Sequence, residues 1–162
     1  MDQFTSSAQE ATSYGMAIDT QLTFEEAERK VRELLKQEGF GVLTEIDVKN
    51  TLKEKIQVEF RRYKILGACN PQLAHRALTI EPGVGLLLPC NVVVEERDGG
   101  SRVLILDPVA TMAIVGNPEL EPVAADAAAR MRRVAEGMTG SLTNCLVKTR
   151  SVKRTCDRVV SG

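Results

Sequence analysis

Three side chains in the middle of the chain carry its clearest chemical potential: Cys69, His75 and Cys90. Cys69 stands just before Asn70-Pro71, a pair that reads as a helix start, with asparagine as the cap and proline at the first helical position. Free N–H groups and the positive end of the helix dipole at that place favour a thiolate. His75 falls in the second turn of the same helix, and Cys90 lies between Pro89 and Asn91 at a break in an apolar run. If the strands bearing the two cysteines are neighbours, two thiolates and an imidazole make a soft ligand set suited to Cu(I), zinc or a haem-type iron, a transition-metal or haem pocket. The same groups suit thiol redox or nucleophilic catalysis, with Cys69 as the reactive group and His75 as its base. A structural reading stands beside both, because free cysteine is among the most buried residue types and a lone helical histidine is usually framework. Asn70 and Asn91 flank the cysteines as polar neighbours whose simplest roles are a helix cap and a strand break.

The elements that must position these residues follow from periodicity. Tyr14, Met16 and Ile18 alternate along a strand over residues 13–20, and Thr23-Phe24-Glu25-Glu26 has capping-box spacing ahead of an apolar helical stripe ending before Gly39. Residues 41–48 alternate as a second strand with Val42, Thr44, Ile46 and Val48 on one buried face; Glu45 and Asp47 share the other, as an ordinary wet face does. Asp47 can cap a short helix through Ile56, and residues 62–68 form a third strand. After the helix begun at Pro71, a long apolar strand runs over residues 86–97, interrupted at Pro89 as an edge or bulge would be. Asp98-Gly99-Gly100 turns it into a returning strand over residues 103–107. Asn117-Pro118 then opens a long amphipathic helix that ends by Gly140. This order predicts an α+β fold, an antiparallel sheet with its helices gathered on one face.

Composition narrows the classes. The 162 residues suit one domain, and 43% apolar content builds a core at that length. Twenty-one basic residues against 22 acidic ones leave a net charge of −1, without the basic excess that nucleic-acid binding draws on. There is no membrane-length apolar run and no export signal at the start, so the expectation is a soluble cytosolic protein with reduced thiols. The four cysteines contain no Cys-x-x-Cys pair, and Gly83-Val84-Gly85 lacks the helix and third glycine of a nucleotide loop. Residues 141–162 hold five basic residues against Asp157 alone, a net +4 that leaves −5 on the rest. The expected organisation is a flexible leader over 1–12, a single α+β domain over 13–140, and a basic, mobile tail over 141–162 that includes Cys145 and Cys156.

The strings YKILGACNP at 63–71, Ala74-His75, and LLPCNVVV at 87–94 resemble the bacterial and archaeal family catalogued as domain of unknown function 302, over about residues 13–138. The resemblance implies a β-α-β(4)-α fold similar to half of the TATA-binding protein, and a homodimer; it implies no particular reaction. Cys69, His75 and Cys90 fall on its motifs, whereas the basic tail does not. An exposed strand edge near Pro89 is the local feature in keeping with a dimer. The leading expectation is a ligand- or metal-binding accessory module with a Cys/His pocket. A thiol-dependent redox protein or enzyme and a purely structural interaction domain are the alternatives.

Overall fold

A computed structural model of the chain describes residues 9–139. Its helices begin where the side chains can satisfy their free N–H groups. Thr23 caps α1 (Phe24–Gln37) in a complete capping box: its Oγ1 accepts from the Glu26 N–H at 3.3 Å, and Glu26 Oε2 accepts from the Thr23 N–H at 2.9 Å. Asp47 caps α2 (Val48–Ile56), and Asn70 with Pro71 caps α3 (Pro71–Ile80). Asp107 starts the short α4 (Pro108–Met112), and Asn117 caps a 3-10 turn that runs into α5 (Glu121–Thr139).

The strands are β1 (Gln9–Ala11), β2 (Gly15–Thr20), β3 (Gly41–Asp47), β4 (Tyr63–Cys69), β5 (Cys90–Arg97) and β6 (Gly100–Leu106). They form one antiparallel sheet in the order β1-β2-β6-β5-β4-β3. Gly99 closes the β5–β6 hairpin at φ +79°, a conformation that suits glycine. The architecture is α+β. With β1, α2, α3 and α4 set aside, the order that remains is β-α-β(4)-α.

Register fixes what each face carries, because alternate side chains point to opposite faces. Ile18, Val103 and Val94 form one row on the covered face; Ile105, Val92 and Leu66 form the next, and all six are essentially inaccessible. Above them pack Val31 and Leu35 of α1, Leu73 and Ala77 of α3, and Met131, Val134 and Met138 of α5 in one continuous cluster. Burying each large aliphatic here contributes roughly 1.5–3 kcal/mol before entropy is counted. On the rim, Lys64 holds Glu28 at 2.9 Å, and Arg32 bridges Glu28 and Glu45. Burial opposes ionisation of Glu28, but the two cations prevail and hold its pKa below the usual carboxylate value.

Several expectations change. Residues 9–11, assigned to the leader, pair with β2; residues 1–8, the tail at 141–162, Cys145 and Cys156 lie outside the described residues. The strand expected at 41–48 ends at Asp47 and buries no residue. It is the sheet's edge, and a bulge at Leu43, 67% exposed, shifts its register. Alternation shows which side chains share a face; it does not show that anything covers them. The strand expected from Leu86 begins only at Cys90, because Pro82, Gly83 and Gly85 take the chain through a 3-10 turn over Pro82–Leu87 first. Nor is there a sheet edge at Pro89: β5 lies between β4 and β6, and the edges are β1 and β3.

Candidate functional site

The cysteine pair comes together; the triad does not. Cys69 is the last residue of β4, and Cys90 the first of β5, where it pairs with Ala68. The two strands are neighbours, as the metal and thiol readings require. Both cysteines are free thiols and line one apolar cavity with Phe40, Leu73, Leu88 and Met112. That cavity measures about 20 Å³, room for one water and far too small for haem. His75 is exposed and does not line it. At about 100° per residue, position 75 lies roughly 200° around α3 from Leu73, so the histidine falls opposite the Leu73–Ala77 stripe that α3 buries. Among the described residues, no three His, Cys, Asp or Glu side chains are grouped to hold a metal ion.

The thiols are also less acidic than their place in the chain suggested. Asn70, itself buried, spends its Oδ1 on the N–H groups of Gln72 at 3.1 Å and Leu73 at 3.2 Å, so the helix-start donors already have a partner. Burial raises the Cys69 pKa, and burial together with the neighbouring Cys69 pushes Cys90 up to about 11. At neutral pH this corner holds two thiols, not thiolates. Asn91 is exposed and, one residue from Cys90, belongs to the other side of the sheet.

That other side is where the molecule is unfinished. Ala17, Leu104, Val93, Ile65 and Ile46 pair in succession across β2, β6, β5, β4 and β3, a single row of aliphatic side chains outside the helix-packed core cluster, with Ala17 buried, Leu104, Val93 and Ile65 half-buried and Ile46 exposed. A polar row runs beside it: Asp19, Arg102, Glu95 and Tyr63. Arg102 grips Asp19 through two bonds of 2.6 and 2.7 Å, which lower the Asp19 pKa, and Arg61 meets Glu95 at 2.8 Å. Burial, with the nearby Glu95, raises the Tyr63 phenol. On the far side of the aliphatic row, Gly67 faces Asn91 and Thr44; a Cβ there would strike the Thr44 side chain and the Pro89 ring. A cleft of about 280 Å³ opens on this face between Tyr14, Tyr63, Asn91, Val93, Leu104 and Leu106. Sequence reasoning passed over it, though the signal was there. A strand with one wet face alternates, whereas Val92-Val93-Val94 and Val103-Leu104-Ile105-Leu106 are apolar at every position, as strands covered on both faces are.

The comparisons agree with this architecture. The family model described as Domain of unknown function DUF302 matches residues 16–138, and the chain belongs to that family. A crystal structure of an uncharacterized conserved DUF302 protein from Bacillus stearothermophilus superposes with a TM-score of 0.73 at 31% identity, covering 78% of this chain and 99% of that one. No curated protein matches the chain. Among the described residues no helix is long and apolar enough to cross a membrane.

Proposed function

We propose that this chain is a cytosolic accessory module that works as a homodimer, two copies meeting through the uncovered face of the sheet. The observation that carries the reading is the aliphatic row Ala17–Leu104–Val93–Ile65–Ile46. A contiguous apolar patch of this kind marks an interaction surface. Strand spacing and rise make a six-stranded face roughly 24 Å wide and 20 Å long, so two such faces together bury about 1,000 Å², the lower bound for a specific interface. A two-fold contact places the same patch on both partners and leaves no unmatched edge. Charge does not oppose it, since Asp19 and Glu95 on this face each hold an arginine of their own. The cysteine corner in this reading is packing, with Cys90 buried and Cys69 half-buried beside Asn70.

The test is the molar mass of the full chain by light scattering across a dilution series. The reading expects twice 17.7 kDa at micromolar concentration, falling toward 17.7 kDa on dilution. A mass that stays at 17.7 kDa up to the highest soluble concentration overturns it.

A further inference from the structure

Between β3 and β4 the chain leaves the body of the molecule. Helix α2 contains no buried residue, and at nine residues it is shorter than the roughly 12–15 at which a helix stands alone in water. Its start is secured by Asp47, which accepts from the Asn50 N–H at 3.0 Å, and it ends at Gln57, whose φ of +56° turns the chain into an extended return over residues 58–62. That return is anchored. Arg61 reaches Glu95, Arg62 stacks on Phe24 and pairs with Glu25, and the Arg62 backbone N–H donates to Glu96. The arm is therefore held in position while its apolar side chains stay in solvent: Ile56 is 61% exposed, Val58 44% and Phe60 36%.

Its apolar side continues the uncovered sheet face. The Phe60 ring meets Tyr63 edge-on at 6.1 Å, and Tyr63 belongs to the row next to the aliphatic one. Charge distinguishes the arm from the domain around it. Residues 48–62 carry five basic residues against Glu54 and Glu59, a net +3, while residues 1–47 and 63–140 together carry −8. Between two such bodies of like charge, a basic arm crossing to the second copy lowers the repulsion that opposes their approach.

We infer that the arm packs across the dimer: Ile56, Val58 and Phe60 of one copy seat against the uncovered sheet face of the second, and symmetry makes the contact twice. The inference rests on the homodimer proposed above and names a part of its interface. It accounts with one contact for two features of the chain, a helix without a buried residue and a sheet face outside the core cluster. A pre-positioned arm also loses little freedom on binding, which strengthens association without further contacts.

Sedimentation of the full-length wild type beside the double variant Val58→Asp, Phe60→Asp tests it, with circular dichroism as the check on folding. Both positions are exposed, so the variant keeps its fold, and its dimer is expected to weaken by roughly tenfold or more. In the wild type, amide exchange over residues 48–60 should slow as the dimer forms. A variant that dimerises like the wild type, with no such slowing, overturns the arm and leaves the sheet-face dimer standing. A monomeric wild type overturns both. A monomeric wild type that co-sediments with phosphatidylserine vesicles and loses this in the variant makes the arm a membrane contact instead.

Discussion

The two faces of the sheet are built from the same strands, one residue apart, and have opposite fates. Val92, Val94, Val103 and Ile105 lie under α1 and α5 and are inaccessible; Val93, Leu104 and Ile65, interleaved with them, are only half-buried and have no helix above. On most one-sided antiparallel sheets that second set is polar. Here the covered face holds the core, and the second face is apolar without belonging to it. The buried thiol belongs to the finished side: Cys90 is closed in beside a one-water cavity, while the open cleft is lined by groups suited to contact.

The comparison is sharpened first by truncation. Leu66→Ala, on the covered face, is expected to cost about 2–5 kcal/mol in urea denaturation, while Leu104→Ala costs well under half of that when measured below the dimer's dissociation range. Equal costs would break the distinction. The next effect is pH-dependent. The Cys90 pKa is raised by burial from 9.0 to about 11, so its contribution is complete below pH 9 and is lost as pH climbs toward 11, because the unfolded thiol ionises first. Two units correspond to roughly 2–3 kcal/mol, and Cys90→Ala should remove this part of the alkaline decline in a stability–pH series. Alkylation follows the same sign: Cys90 should react slowly at pH 7 and faster as pH rises, and rapid labelling at neutral pH would revive the thiolate reading. Smaller still, Asn70→Ala should cost about 1–2 kcal/mol in thermal or urea unfolding, through two lost cap bonds, while His75→Ala stays within about 0.5 kcal/mol.

Much of the fold was legible because its signals are local. Thr23-x-x-Glu26, Asn70-Pro71 and Asp98-Gly99 each specify their backbone within four residues, and the helices and the hairpin stand where those residues put them. Strand order is not local, and so the edge was misplaced: Pro89 is compatible with an interior strand because it precedes the first β4–β5 pair. The cysteine neighbourhood was half legible. Adjacent strands bring Cys69 and Cys90 to one cavity, but the angle between His75 and the Leu73–Ala77 stripe already sends the histidine outward. The lowered thiol pKa failed for a related reason, since the N–H groups that would hold a thiolate bond to Asn70. The uncovered face was written in the chain as two apolar runs without alternation, and only the register separates the residues of those runs that join the core cluster from those that stay half-buried outside it.

Val93→Arg tests the central claim most directly, with molar mass and circular dichroism measured on one sample. Because Val93 lies on the uncovered face, the substitution is expected to give a monomer of 17.7 kDa with an unchanged spectrum under conditions where the wild type is a dimer. A Val93→Arg protein that remains dimeric, or that becomes monomeric only by unfolding, would contradict the assignment of this face as the surface where two copies meet.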